Sequence, residues 1–427
     1  MTNHIRKLNN MKKIAFIADA VGAIMNGVAI AQACQDKYKV IFIVKPKFDS
    51  LIKSFGFSTY ILTDCTDTGN WNGYVKNKLN VLRFSPSEQI KHYVSHLFKA
   101  IVYDVKQSNF YIEKALQQIQ PDLICLDDVI MIPAIKRFNC PWIRIVSCNE
   151  TEIPDKLLPP RFSGYKTNEQ THWNAFWQQF LKHLKPIHDD FNRFITSCDI
   201  QPYPSGQFLE PSQFMNLLIY PKIISYKRQN HLSDMRFSYL NGCIRRAPAY
   251  NIPKFAKNNN KPLIYISYGS MWSCNDDLMM KQISILKHLP YRVIINSEQC
   301  MSNYYNLPGN IHLEKFPPQP SLISQADLII HHGGNNTFNE TLYFGKPSII
   351  IPMVFDGHDN AARLEELSLG ARLYLHDFEE KLPETIDYVI NNSLINGKLH
   401  NISKYMQCNP GAQQACKVIE NIMEVNK

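Results

Sequence analysis

Between Asp327 and Arg363 the chain reads DLIIHHGGNNTFNETLYFGKPSIIIPMVFDGHDNAAR, the densest run of residues with chemistry to offer. An apolar strand pattern, Asp327 to His331, leads into Gly333 and Gly334. Asn335, Asn336 and Thr337 then open a helical pattern. Strand, glycine turn and capped helix start present free backbone N–H groups and a positive helix end to an anion, above all a phosphate. The two glycines let the backbone turn sharply and approach a ligand with no Cβ in the way. His332 can donate to a phosphate oxygen, and Asn336 and Thr337 add side-chain donors in the first turn. Glu340 lies four residues after Asn336 and so on the same face, where a carboxylate suits paired ribose hydroxyls. A second apolar strand (Pro347 to Pro352) is followed by a loop with Asp356, His358 and Asp359; Asp356 can accept from sugar hydroxyls. Each feature alone has an ordinary structural explanation as a turn, a cap or a solvated face. Their joint order points to a nucleotide-diphosphate site.

The rest of the chain must position that site. At 427 residues it exceeds one comfortable core, so two domains are expected. A hydrophobic content of 45% with 19% charged residues describes a globular protein rather than a disordered or fibrous one. The net charge of +9 is spread along the chain. It serves solubility, with a mild pull toward anionic substrates or peripheral contact with a membrane surface. No nucleic-acid module is present: there are no RNP aromatics, zinc-finger spacing or basic heptad helix. Eleven cysteines stand singly without a CxxC pair, which fits reduced thiols rather than a disulfide framework or zinc site. Ile14 to Cys34 imitates a signal peptide. Asp19 and Asn26 interrupt it, however, and Lys39 to Val44 follows as a strand, so it reads as the opening of a βαβ unit. No other run approaches the roughly 20 apolar residues of a membrane span. The expectation is a cytoplasmic protein without a transmembrane segment, monomer or dimer.

Strand patterns at Ile14 to Ala18, Lys39 to Val44, Thr59 to Leu62, Leu123 to Leu126 and Pro141 to Val146 alternate with helical patterns at Asn26 to Gln35, Ser87 to Val105 and Asn109 to Gln120. That alternation predicts a parallel sheet with helices on both faces. IPDKLLPPRFSGY is a proline-rich loop. Gln170 to Thr196 reads as one or two aromatic-rich helices, either ordinary core or an excursion over a cleft. Arg245 to Lys261 has no periodicity and reads as a linker. A second alternation begins at Leu263 and ends with a helix, Ala412 to Glu424. The expected division is an acceptor-binding domain over 1–244, a linker over 245–262 and a nucleotide-binding domain over 263–427 that includes the last helix. Two doubly wound halves place a ligand cleft at the C-terminal ends of their strands.

On these residues the chain resembles the family 1 glycosyltransferases. KPLIYISYGS (Lys261 to Ser270) is similar to the strand and Gly-Ser loop that open the family's C-terminal domain. KFPPQPSLI (Lys315 to Ile323) resembles its uracil-stacking loop. HHGGNNTFNE resembles its phosphate segment, VFDGHDNAARLEELSLGARL its sugar-facing loop and following helix, and LPPRFSGY a subgroup of bacterial members. The resemblance implies the GT-B fold, two Rossmann-like domains facing across a cleft with a C-terminal helix. It implies a nucleotide-sugar site in which Phe316 stacks on the base, Ser270 and Gln319 belong to the nucleotide pocket, and His332, Asn336 and Thr337 contact the diphosphate beside Gly333 and Gly334. Glu340 would hold the ribose and Asp356 the sugar.

Two departures stand out. Most members carry Asp-Gln where this chain has Asp356-Gly357, so the donor sugar is left open; His358 is the neighbouring candidate to compensate. The family's general base is a histidine after the first strand, and Ala23 occupies that position, while its partner aspartate corresponds to Asp127 or Asp128. Inverting transfer needs a proton acceptor as the acceptor hydroxyl attacks. Three readings follow: Asp19 acts as base from a shifted loop, the acceptor or substrate supplies the function itself, or the protein binds nucleotide sugar without efficient transfer. The expected catalytic pair is Asp19 with Asp127. No DxD motif occurs, so no metal site is expected. The expected function is metal-independent, inverting transfer of a sugar from a nucleotide diphosphate, UDP foremost, to a small hydroxylated or lipid-like acceptor, with no cofactor beyond the donor substrate. The alternatives are a nucleotide-sugar-binding regulator and a UDP-sugar epimerase on the same fold. The acceptor is expected against the loops 63–80 and 149–196, whose aromatics Trp71, Trp173, Phe176, Trp177 and Phe180 suit an apolar ring.

Overall fold

The computed structural model describes residues 11–63, 82, 84–269, 276–297 and 306–425. Ser270, Trp71 and most of the loop 63–80 lie outside these residues. Two parallel sheets organise the chain. The first contains β1 (Lys13–Ala18), β2 (Lys39–Val44), β3 (Ser58–Ile61), β4 (Leu123–Asp127), β5 (Trp142–Val146), β6 (Met215–Leu218) and β7 (Phe237–Tyr239), in the order β3-β2-β1-β4-β5-β6-β7. The second contains β8 (Leu263–Ser267), β9 (Arg292–Asn296), β10 (Ile311–Glu314), β11 (Leu328–His331), β12 (Ser348–Ile350) and β13 (Gly370–Arg372), in the order β10-β9-β8-β11-β12-β13. Strand order reverses between β1 and β4 in the first sheet and between β8 and β11 in the second. Those reversals open the crevices where doubly wound folds bind ligands. The central strands LICLD, LIYIS and LIIH are buried along their whole length, as parallel strands covered on both faces must be.

The helices that matter for the site are α1 (Val21–Cys34), α2 (Ser95–Ile119), α3 (Trp173–Ser197), α4 (Gln319–Gln325), α5 (Asn335–Tyr343), α6 (Asp356–Glu366) and α7 (Gly411–Val425). Several differ from the sequence expectation. The first helix starts at Val21, so Gly22 and Ala23 lie in its first turn rather than in a loop. The patterns at 87–105 and 109–120 form one helical run, because the Oδ1 of Asn109 accepts from the backbone N of Ala134 (2.8 Å) instead of capping a new helix. Asp356, His358 and Asp359 lie in the opening turns of α6, not in a loop. Two helices, Phe378–Asn391 and Ser393–Cys408, escaped the pattern reading.

Placed with the second half by sequence order, α7 crosses back. Its Ala412, Ala415, Cys416, Ile419 and Met423 join Ile24, Val28 and Ala31 of α1 in the core of the first sheet. Lys12 donates to the Met423 carbonyl (2.6 Å), and Lys37 pairs with Glu420 (2.5 Å). Gly411 permits the crossing, since a Cβ there would stand 2.4 Å from the Gly242 carbonyl oxygen. The linker is anchored as well: Phe255 is buried with Leu263 and Ile329. No helix among the described residues is long and apolar enough to cross a membrane.

Candidate active site

The expected phosphate turn forms at the strand reversal of the second sheet. β11 ends at His331, Gly333 takes φ +89°, and α5 opens after Gly334. His331 is fully buried and its Nδ1 accepts from the Gly333 N–H (3.2 Å), which shapes the turn. The ring of His332 lies between Gly269 and Gly334, where a Cβ would stand 2.7 Å and 2.4 Å from its atoms. Burial lowers the His332 imidazole to about 4, so it is neutral near pH 7. Its Nδ1 is buried and unpartnered. A neutral ring at a helix N-terminus, beside the free N–H groups of the first turn, is a donor set for an anion.

The residues expected to hold the nucleoside form a connected polar network. Glu340 is buried; its Oε1 accepts from Arg245 Nη1 (2.8 Å) and its Oε2 from Gln319 Nε2 (2.5 Å). Gln319 also donates to Thr337 Oγ1 (3.2 Å), and its Oε1 accepts from Ser267 Oγ (3.0 Å) and Tyr265 OH (3.2 Å). The structure thus brings Gln319, Thr337 and Glu340 together. Phe316, three residues before Gln319, presents an exposed ring on a backbone held at φ +48°. The network is completed by Arg245, which sequence reasoning left in the linker; the Arg245-Arg246 pair was the available signal.

On the sugar side, α6 begins at Asp356 after Phe355 at φ +55°. Desolvation, followed by the nearby Asp359 and Glu152 carboxylates, raises Asp356 to about 8, against hydrogen bonds from its own backbone N–H and that of Asn335. Gly357 packs backbone to backbone on the phosphate turn: a Cβ there would stand 2.6 Å from the His332 carbonyl oxygen. The glutamine that the resemblance leads one to expect at this position has no room in this arrangement. His358 does not take its place, because it is buried and its Nε2 pairs with Gln89 Oε1 (2.9 Å). Asp359 is turned to the other domain, accepting from Thr151 Oγ1 (2.9 Å) and the backbone N–H groups of Phe162 (2.7 Å) and Gly164 (2.9 Å). It holds the proline-rich loop against α6.

Across the cleft, Asp19 and Asp127 both stand at the strand reversal of the first sheet, after β1 and at the end of β4. Asp19 is committed to Lys45 Nζ (2.6 Å), which also reaches Asp104 (3.1 Å). Asp127 is buried and accepts from Ser147 Oγ (2.5 Å). Desolvation lifts it to about 7, opposed by the Ser147 hydrogen bond and reinforced by Asp128. Asn26 of α1 donates to Ser147 Oγ (2.8 Å) and to Asn336 Oδ1 (2.8 Å), and Asn336 Nδ2 donates to the Gly22 carbonyl (2.8 Å). Polar links therefore run from the phosphate turn to Asp127, past Ala23, which is buried and offers only a methyl. Ser147 carried no signal in the sequence, and Asn26 stood out only as a polar interruption of an apolar run.

Of the acceptor-side aromatics, Phe176 and Phe180 are core residues. Trp177 stacks on Phe180 (5.1 Å between centroids), and Phe162 packs edge-on against Phe355 (5.4 Å). Arg161 lies over the Phe180 ring (4.8 Å) and pairs with Glu152, both buried.

Comparison with known proteins agrees with this geometry. Residues 279–422 match the model of the erythromycin biosynthesis protein CIII-like C-terminal domain family. The chain is 23% identical over 318 residues to the NDP-glycosyltransferase YjiC of Bacillus subtilis, covering 73% of this chain and 76% of that one. It is 22% identical to demethyllactenocin mycarosyltransferase of Streptomyces fradiae over 73% of this chain and 66% of that one. Among solved structures, the glycosyltransferase of kitacinnamycin superposes with a TM-score of 0.72 at 15% identity, covering 97% of this chain and 100% of that one. The glycosyltransferase VinC in complex with DTDP gives 0.66 at 15%, covering 96% and 99%. The fold, the order of the candidate-site residues and these relatives converge: the chain has the GT-B fold and is similar to family 1 glycosyltransferases.

Proposed function

We propose that the protein transfers a sugar from a nucleoside-diphosphate sugar to a hydroxyl of an apolar, ring-bearing acceptor, with inversion at the anomeric carbon and without a divalent metal or further cofactor. The observation that carries this reading is the facing of two groups across the cleft: the Gly333–Thr337 turn on one side and the Asp127–Ser147 pair on the other, joined by Asn26 and Asn336. The turn's N–H groups and helix dipole meet the charge that develops on the departing diphosphate, the work a metal does in other designs. Phe316 stacks on the base, Glu340 and Gln319 hold the ribose, and Asp356 accepts from sugar hydroxyls. Asp127, raised to about 7 by its burial, has the proton affinity of a base working near neutral pH. Burial raises Asp19 as well, against the opposing Lys45 ammonium, but Asp19 is a weaker choice because that ammonium already occupies one of its oxygens at 2.6 Å.

Both UDP and TDP fit what supports the reading. VinC was solved with DTDP, whereas relatives such as the sterol 3-beta-glucosyltransferase of Pichia angusta are named for glucose transfer to a sterol; that protein is 28% identical over 71% of this chain but only 25% of its own length. Eight free thiols among the described residues support a reducing, cytoplasmic setting. A thermal-shift series with UDP, TDP and their glucose conjugates tests the donor site. The expected result is a shift for at least one nucleotide that survives EDTA and disappears in His332→Ala; no shift with any nucleotide overturns the reading.

A further inference from the structure

We propose that Ser147 is a catalytic residue, its hydroxyl receiving the proton of the acceptor alcohol while passing its own to Asp127. The inference rests on the transferase reading and names the group that touches the acceptor.

The hydrogen-bond inventory of Ser147 carries it. A serine hydroxyl has one proton and two lone pairs. The proton goes to Asp127 Oδ2 (2.5 Å), and one lone pair accepts from Asn26 Nδ2 (2.8 Å). The second lone pair takes no bond among the described residues, and Ser147 is only half-buried, following β5 at the carboxyl end of the first sheet. Buried Asn26 fixes the direction of the relay: an amide N–H can only donate, so Ser147 keeps its proton turned toward Asp127. The same Asn26 amide group bonds Asn336 in the first turn of α5. Ser147 is therefore two side chains from the turn that would hold the leaving diphosphate.

The neighbouring candidates lack the link through Asn26 to the phosphate turn that Ser147 has. Ala23 has no group to offer, Asp19 is paired with Lys45, and Asp128 accepts from the Ile130 backbone (3.3 Å). Asp127 is buried, so a substrate alcohol reaches it through the half-exposed serine rather than directly.

The acceptor oxygen forms a bond to the anomeric carbon as its proton moves to Ser147 Oγ and the serine proton moves to Asp127 Oδ2. The bond from the anomeric carbon to the diphosphate oxygen breaks with its electron pair on that oxygen. Asp127 ends neutral and returns its proton to solvent after product leaves.

The test compares two acceptors, cyclohexanol and para-nitrophenol, with whichever of UDP-glucose and TDP-glucose gives the larger thermal shift. An alcohol must lose its proton in the transition state, whereas the nitrophenol, a far stronger acid, is largely ionised at mildly alkaline pH and there needs no relay. In Ser147→Ala, kcat for cyclohexanol is expected to fall roughly 10²-fold with donor KM unchanged, while transfer to para-nitrophenol falls far less. Ser147→Thr, which keeps the hydroxyl, is expected to restore most of the alcohol rate. An unchanged nucleotide-induced thermal shift in Ser147→Ala shows that the donor site is intact. Equal loss with both acceptors, or no loss with either, overturns the relay while leaving the transferase reading standing. A wild-type protein that binds nucleotide yet transfers to neither acceptor overturns both.

Discussion

Asn336 and Asn26 share a hydrogen bond of 2.8 Å that joins the phosphate turn of one domain to the first helix of the other. The second end of the Asn336 amide donates to the Gly22 carbonyl, also at 2.8 Å. The residue expected to touch the diphosphate thus also latches the two domains. In Asn336→Ala both links vanish and Asn26 loses an acceptor inside a buried site. Nucleotide affinity is expected to weaken by about 1–2 kcal/mol, roughly 5- to 30-fold in Kd by calorimetry. The radius of gyration of the free protein by small-angle scattering should increase. Unchanged affinity and dimensions would show that the amide links neither ligand nor domains.

Gly357 tests whether the sugar side of the site is a degraded copy of the family pattern or a differently packed one. Its Cα sits against the His332 carbonyl, with 2.6 Å for an added Cβ. Gly357→Gln is therefore expected to cost about 1–3 kcal/mol of stability from overpacking and to weaken nucleotide binding by displacing the turn. Denaturant unfolding and calorimetry read both effects. A variant of undiminished stability that binds UDP-glucose more tightly than wild type would show that the glutamine site is open after all.

Much of the candidate site's local geometry was legible because its parts are close in sequence. The order of strand, Gly333-Gly334 and Asn336-Thr337 with Glu340 one turn on lies within fourteen residues, and helix periodicity sets its geometry. Parallel strands were legible as apolar runs, LICLD and LIYIS among them. What escaped was long-range. Arg245 reaches Glu340 across 95 residues, and Asn26 reaches Asn336 across 310. No local pattern marks such pairs. The last helix was assigned by its order in the chain, whereas its apolar face found a partner in α1 at the opposite end. Asn109 opens the second of two helical patterns, yet its side chain accepts from the distant Ala134 backbone and the helix runs through it.

Stability should respond to pH in a direction set by the cleft carboxylates. Burial raises Asp127, Asp128 and Asp359 to about 7 and Asp356 to about 8, from an ordinary 3.8. Between about pH 4 and pH 8 the unfolded chain has released these protons while the folded chain retains them, so this contribution falls as pH rises. His331, His332 and His358 act oppositely: burial lowers them to about 3, 4 and 3, and their contribution is lost as pH falls below 6.5. Asp356→Asn isolates one carboxylate. Its melting temperature relative to wild type is expected to rise steadily from about pH 5 to about pH 9, followed by fluorimetry in matched buffers. A difference independent of pH would mean that Asp356 titrates as an ordinary exposed carboxylate.

The central claim is that this cleft performs an inverting transfer with Asp127 as the final proton acceptor. The most direct measurement is nuclear magnetic resonance of the product formed from an α-linked nucleotide sugar, by wild type and by Asp127→Asn. The account predicts a β-linked product from wild type. From Asp127→Asn it predicts the same nucleotide Kd with kcat lower by roughly 10²- to 10⁴-fold. An α-linked product, or an Asp127→Asn variant that turns over like wild type, would contradict it.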